Sequence, residues 1–321
     1  MAGPQRIDVH HHIWPPRWLK AEAESQRMAS RTAAWDAVSK WTPSMSLDAM
    51  GKNDVATTVT SVSTVVVHPD DPDFDHGFAR DCNEFGARLA QDNPGRIGTF
   101  AMLPLPHVDR CLAEIEHAAG PLRADGFKLQ TSYGERWLGD PGFAPMWDEL
   151  NRRKATVFVH PVVPDRCAGF LPGIGEAIME YPFDTTRTIA SLLYGGTLAR
   201  CPDVKLIFAH GGGTVPFLAS RIAGQARSRK ELGALMPNGI QAALGNLYFD
   251  VVSVTNRWAW ASLTAFMDPS HLLFGTDIPY GTFERSKQEL AEMGLSPAVV
   301  RGIERDNALA ILPSLARRTA A

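Results

Sequence analysis

The chain is 321 residues long, 45% hydrophobic and 21% charged, with a formal net charge of −3 at pH 7. That length holds a large core, either as two average domains or as one barrel of ~250 residues or more, and the composition is that of an ordinary soluble globular protein. The charge offers no basic footprint for nucleic acid and no polybasic patch for a membrane surface, so neither is expected as a partner.

The first predicted element is a strand, Ile7-Asp8-Val9-His10-His11-His12, whose apolar residues alternate with polar ones after the break at Gly3-Pro4. Residues two apart on a strand share a face, so His10 and His12 point together and His11 points away. A histidine run this close to a terminus also fits a purification remnant, but this one follows an alternating apolar segment and continues into Ile13-Trp14-Pro15-Pro16. Residues 14–50 are irregular apart from a polar helical stretch after Trp18, rich in tryptophan, and longer than a connector needs. They are expected to form an insertion, as a lid over one end of the domain or a wall of the active site, with Trp14 nearest to His12.

From residue 54 strands alternate with helices. Strand 57–62 is followed by a helix from Asp75 to Gln91, with Phe78, Cys82, Phe85 and Leu89 at helical spacing. Strand 98–103 leads to helix 108–118, strand 126–130 to helix 143–153, and strand 155–160 to helix 184–199. Strand 204–210 ends in Gly211-Gly212-Gly213 before a helix from Val215. Strand 247–252 precedes a helix at 258–266, and strand 271–277 precedes helices at 283–293 and 297–312. Eight strand–helix units with near-continuous apolar strands specify an α/β fold, a (βα)8 TIM-type barrel with an insertion after strand 1. An open doubly wound sheet would usually carry a Gly-x-Gly-x-x-Gly turn after its first strand, which is lacking here. Nothing in composition divides the chain, so residues 1–321 read as a single domain.

The four cysteines, Cys82, Cys111, Cys167 and Cys201, have no Cys-x-x-Cys spacing, which argues against a zinc ribbon or disulfide scaffold and suits a reducing cytoplasm. No run of about 18 apolar residues occurs, so no membrane span is expected.

In such a barrel the working face is the C-terminal end of the strands. The polar residues there are His10 and His12, Lys128, His160, His210 and Asp277. Each alone has an ordinary explanation as a capping, turn or satisfied core group, but all of them at matching strand ends point to one site. His68, His76, His107, His117 and His271 fall in loops, helices or at a strand start, and solvated or structural roles suit them better. Three histidines and an aspartate form a ligand set for zinc or a similar divalent ion, with a position left for water or substrate.

The ordered motifs Asp8-Val9-His10-His11-His12, Phe158-Val159-His160-Pro161, Phe208-Ala209-His210-Gly211-Gly212-Gly213 and Phe274-Gly275-Thr276-Asp277-Ile278-Pro279 resemble the amidohydrolase superfamily. The likeness is to its decarboxylase branch, with aminocarboxymuconate semialdehyde and γ-resorcylate decarboxylases. Segments such as Gly126-Phe127-Lys128 and Phe183-Asp184-Thr185-Thr186-Arg187-Thr188 look most like 6-methylsalicylate decarboxylases. The resemblance covers essentially the whole chain. It implies His10, His12, His160 and Asp277 as metal ligands, and His210 beside the metal as a catalytic residue. Resorcylate-type members have a carboxylate where His10 stands, which leaves this site one negative charge poorer. Hydrolytic relatives with two metals carboxylate a fourth-strand lysine; a single metal and an unmodified Lys128 are expected here.

The activity implied is that of a carbon–carbon lyase: metal-dependent, non-oxidative decarboxylation of a hydroxybenzoate-type acid. Asp277 would protonate the ring carbon before carbon dioxide leaves, and His210 would orient or relay the proton. The cofactor expected is one divalent ion, zinc or alternatively manganese; no redox cofactor is called for. Trp14 and Tyr280 are expected to bind the aromatic ring; Tyr133, Phe283, Arg187 and Arg257 are weaker candidates. A metal-dependent lactone or amide hydrolase, with an activated water, is the rival reading. The resemblance also implies a homodimer.

Overall fold

The computed structural model describes residues 5–25, 32–65, 67–169 and 172–315. The eight principal strands are β1 (Arg6–Ile13), β2 (Val55–Val62), β3 (Ile97–Met102), β4 (Gly126–Gln130), β5 (Thr156–His160), β6 (Lys205–Phe208), β7 (Tyr248–Asp250) and β8 (Leu272–Leu273). They neighbour one another in chain order within one sheet. Pairing is parallel, with Ile7 opposite Thr57, Thr58 opposite Ile97, Phe100 opposite Gly126 and Val157 opposite Leu206. The segment after β8 returns to β1: the Asp277 amide donates to the His10 carbonyl at 2.8 Å, and the His12 amide donates to Ile278 at 3.2 Å. This is the expected α/β barrel class. Its strands are buried on both faces, which is why they read as near-continuous apolar runs.

Contacts along the chain group into two compact units, residues 1–128 with 273–321, and residues 129–272. In the first, the insertion is more regular than expected. It carries three helices, α1 (Pro16–Ser25), α2 (Thr32–Ser39) and α3 (Pro43–Lys52). Trp14, Trp18, Val38 and Trp41 are buried in a cluster with Ile13, Val62, Phe78, Cys82 and Met102, so the tryptophans that looked excessive for a connector supply core. Helix α4 (Pro72–Asp92) begins three residues before the predicted Asp75. Asp71 caps it, accepting from the Phe74 amide at 2.9 Å, and Pro72 takes the first helical position, where its missing N–H costs nothing. Helix α5 (Val108–Ala119) docks on α4 through fully buried Glu114, which accepts from Arg80 Nε and Asn83 Nδ2, both at 2.8 Å.

The second unit contains β5, β6 and β7 with helices α6 (Ala144–Arg152) and α7 (Ala177–Tyr194). Helix α7 starts seven residues before the predicted Asp184, with Pro182 inside it. A small antiparallel pair, Ser132–Tyr133 with Arg136–Trp137, follows β4. All four cysteines are buried free thiols. No helix among the described residues is long and apolar enough to cross a membrane.

Candidate metal and catalytic site

Strand β1 delivers its paired histidines as its alternation dictates. His10 and His12 are fully buried, and their Nε2 atoms lie 3.3 Å apart. A β-bulge between Asp8 and His11 shifts the register against β2, so His11 instead joins Asp8 to the insertion. Its Nδ1 lies 3.3 Å from Asp8 Oδ2 and its Nε2 2.8 Å from Ser46 Oγ, which also accepts from Trp41 Nε1 at 2.9 Å.

Asp277 meets the pair, although not from a strand end. β8 stops at Leu273, and Asp277 sits in a loop with φ of +57°. Buried Asp8 sets that loop: its carboxylate accepts from the His10 amide at 3.0 Å, the Thr276 amide at 3.1 Å and the Thr276 hydroxyl at 2.7 Å. Asp277 Oδ1 thereby lies 3.2 Å from His10 Nε2 and 3.1 Å from His12 Nε2. Donors held at about 2.0–2.2 Å from a divalent ion stand roughly 3.0–3.5 Å from one another. Two imidazole nitrogens and a carboxylate oxygen in such a triangle fit a zinc-like or manganese-like ion.

Burial pushes the His12 imidazole down to about 4, against the opposing pull of Asp277, so its ring is neutral at pH 7, as a ligand requires. The positive charge of Lys128 adds slightly to that fall. Lys128 is buried, and its Nζ donates to the Ser63 carbonyl at 3.3 Å.

Of the two expected ring-binding residues, Trp14 is almost fully buried. It stands edge-on to Trp41 at 5.4 Å between centroids and to His12 at 6.4 Å. Tyr280 is 48% exposed, its ring 6.2 Å from that of His12.

The second unit presents His160 and His210. His160 ends β5 as expected. Its Nδ1 donates to the Pro161 carbonyl at 2.9 Å, since a carbonyl can only accept, and this tautomer leaves the Nε2 lone pair for a ligand. His210 lies beyond the end of β6 in a left-handed turn, with φ of +55° followed by +62°, +73° and +67° at Gly211, Gly212 and Gly213. Each glycine is sterically required: a Cβ would meet Val254 at 2.6 Å, Phe249 at 2.6 Å and the Pro182 carbonyl at 2.3 Å, respectively. Asp250 fastens the turn, accepting from the His210 amide at 2.8 Å. The rings of His160 and His210 are 5.7 Å apart, and Tyr181 stands edge-on to His160 at 5.6 Å and near-parallel to His210 at 6.2 Å.

The sequence reading missed Asp8, Tyr181, Asp250 and Asp184. Asp8 and Asp250 had a signal, an acid within a predicted apolar strand, and Asp184 lies in a segment that stands out in the sequence; Tyr181 had none without the fold. Tyr133 is buried, its hydroxyl accepting from the Gln130 amide; Phe283 packs at 6.0 Å from the His11 ring; Arg187 neighbours Glu180 and Asp184; Arg257 covers Trp258. The remaining histidines have structural contacts, among them His68 with Asp75 at 2.8 Å and His271 with the Leu247 carbonyl at 2.9 Å.

Residues 7–313 match the family model described as amidohydrolase. The chain is 34% identical over 328 residues to decarboxylase yanB of Aspergillus niger, covering 96% of this chain and 87% of that one. It is 33% identical over 318 residues to 6-methylsalicylic acid decarboxylase of Penicillium expansum, covering 97% of each. Among solved structures it resembles 5-carboxyvanillate decarboxylase LigW of Sphingomonas paucimobilis, with a TM-score of 0.87 at 18% identity over 97% of this chain and 99% of that one, a likeness of fold.

Proposed function

Because this chain belongs to the amidohydrolase family, we propose that it is a metal-dependent, non-oxidative decarboxylase of a hydroxybenzoate-type aromatic acid resembling 6-methylsalicylate. The observation that carries this reading is the triangle of His10 Nε2, His12 Nε2 and Asp277 Oδ1, with sides of 3.1 to 3.3 Å. It is supported by relatives of the chain that are named decarboxylases. The whole chain acts as one catalytic barrel domain, with 14–50 as its insertion.

His10, His12, His160 and Asp277 together hold one divalent ion, zinc or manganese, and Lys128 stays unmodified. When bound, the ion supplies a Lewis-acidic anchor that orients and polarises the adjacent phenolate and carboxylate oxygens of such a substrate. Direct loss of carbon dioxide would leave an unstabilised aryl carbanion, so protonation at the ring carbon comes first. Asp277 holds that proton and delivers it, and His210 orients or relays it. Carbon dioxide then departs from the dearomatised ring, the electrons of the breaking carbon–carbon bond restore aromaticity, the delivered proton stays on the ring carbon, and Asp277 takes up a fresh proton from solvent. Tyr280 flanks the aromatic ring, while Trp14, expected beside it, is buried against His12 and Trp41 and serves as core on that side. The buried free thiols suit a cytoplasmic enzyme. Exposed Phe217 and Trp258, at 79% and 72%, suit a homodimer face.

Metal analysis combined with carbon dioxide release from 6-methylsalicylate, 2,6-dihydroxybenzoate and salicylate tests the proposal. About one ion per chain is expected, with release that a chelator stops. Metal without release from any acid, together with cleavage of a lactone or amide, would replace it with the hydrolase reading.

A further inference from the structure

The segment Phe183-Asp184-Thr185-Thr186-Arg187-Thr188 stands out in the sequence, yet none of its side chains has a place in the chemistry above. Its acid and two of its threonines face inward, Asp184, Thr185 and Thr188 being fully buried, while Arg187 is exposed. A buried carboxylate costs several kcal/mol to desolvate and persists where its acceptor capacity is used. Asp184 uses its capacity on three neutral donors, with the Arg187 guanidinium farther off at 3.9 Å from Oδ1. Oδ2 accepts from Thr131 Oγ1 at 2.5 Å and Ser132 Oγ at 2.8 Å, and Oδ1 accepts from Trp137 Nε1 at 2.7 Å.

Thr131 is the junction. Its amide donates to the His160 carbonyl at 3.1 Å, and its hydroxyl accepts from the Val162 amide at 3.1 Å. Those two bonds bracket His160-Pro161, the dipeptide whose own Nδ1–carbonyl bond fixes the imidazole. Thr188 secures Thr131 from the other side, its hydroxyl donating to the Thr131 carbonyl at 2.6 Å. The hydroxyl of Thr131 therefore has a fixed polarity: it accepts from Val162 and must donate onward. An acceptor-only partner is needed there, and a carboxylate is one.

We propose that Thr131, locked by Asp184 and Thr188 of α7, is a positioning residue that holds the His160 backbone so that its Nε2 is presented for metal binding. This rests on the reading of His160 as a ligand. Hydrogen-bonding partners behind a metal ligand are worth roughly 10- to 100-fold in metal affinity or activity when removed.

The test is chelator competition for the metal in wild-type enzyme and in Thr131→Val, Thr131→Ser and Thr186→Val. Thr131→Val keeps the shape and deletes the hydroxyl, so metal retention should weaken about 10-fold or more, and Thr131→Ser should restore it. Thr186 is on the same helix but engages the Pro182 carbonyl and Thr214, so Thr186→Val should leave metal retention unchanged. Equal retention in Thr131→Val and wild type, with only a lower Tm, would overturn the proposal, as would equal weakening by Thr186→Val. If Thr131→Val does not fold, Thr188→Val deletes the hydroxyl that donates to the Thr131 carbonyl and should weaken retention in the same way; unchanged retention there would overturn the proposal too. A wild-type enzyme that holds no metal would overturn the ligand reading itself, a result separate from any difference among variants.

Discussion

The two histidine pairs of this protein are held by opposite means. His10 and His12 come from one short strand, so alternation puts them on one face with their Nε2 atoms 3.3 Å apart, and a carboxylate only two residues from His10, Asp8, accepts from the His10 amide and fixes the Asp277 loop. His160 and His210 come from different strands, fifty positions apart in the chain. Each relies on a carboxylate remote in sequence, Asp184 through Thr131 for one and Asp250 at the turn for the other. The difference teaches that a histidine pair written into one strand is braced by a near neighbour in the chain, whereas histidines gathered from different strands need buried hydrogen bonds from distant residues behind them.

The largest way to break this comparison is at the first pair. Asp277→Asn keeps size and loop but removes the proton donor, so carbon dioxide release should fall on the order of 10^3-fold with an unchanged circular dichroism spectrum. Substantial residual turnover would remove Asp277 from that role. Next is Asp8→Asn, which disturbs the acceptors that set Thr276 and hence Asp277. Activity should drop about 10- to 100-fold, and a loss confined to thermal stability would mean that the carboxylate only braces the strand.

Trp14 and Tyr280 sharpen the same half of the site, since both rings neighbour His12 and only one is exposed. Trp14→Ala should cost about 3–5 kcal/mol of stability as a buried aromatic deletion, read by denaturant unfolding. Tyr280→Ala should cost within about 0.5 kcal/mol while raising KM for the aromatic acid. An unchanged KM would take Tyr280 out of the substrate pocket.

The smallest effect is expected in the second unit at Glu149. Arg152 and Arg153 hold its carboxyl down to about 2, mainly through the Arg152 hydrogen bond. Because the folded value is depressed, the stabilisation is present above about pH 4.5 and fades as the pH falls toward 2. The pair is solvent-screened, so Glu149→Gln should cost at most about 1 kcal/mol at neutral pH and nothing near pH 2. A constant difference across that range would show that charge is not its source.

Much of the architecture follows from the sequence because strand and helix periods are local. The strand–helix rhythm, the paired β1 histidines and the placement of His160 at the end of β5 all follow from alternation and apolar runs. Glycine chemistry hinted at the turn after His210, but only the packing of Val254, Phe249 and Pro182 explains why three glycines are needed. The loop conformation of Asp277 was beyond local reasoning, because it is set by Asp8 at the far end of the chain. So was the core role of the insertion, whose tryptophans gain burial against β1, β2, α4 and β3. The inward face of α7 belongs with these, since nothing within the helix says that Asp184 meets Thr131. What this chain determined by itself is what repeats every two or four residues; what tertiary structure decided is which distant carboxylates and hydroxyls meet, because those contacts depend on closing long loops and not on any local period.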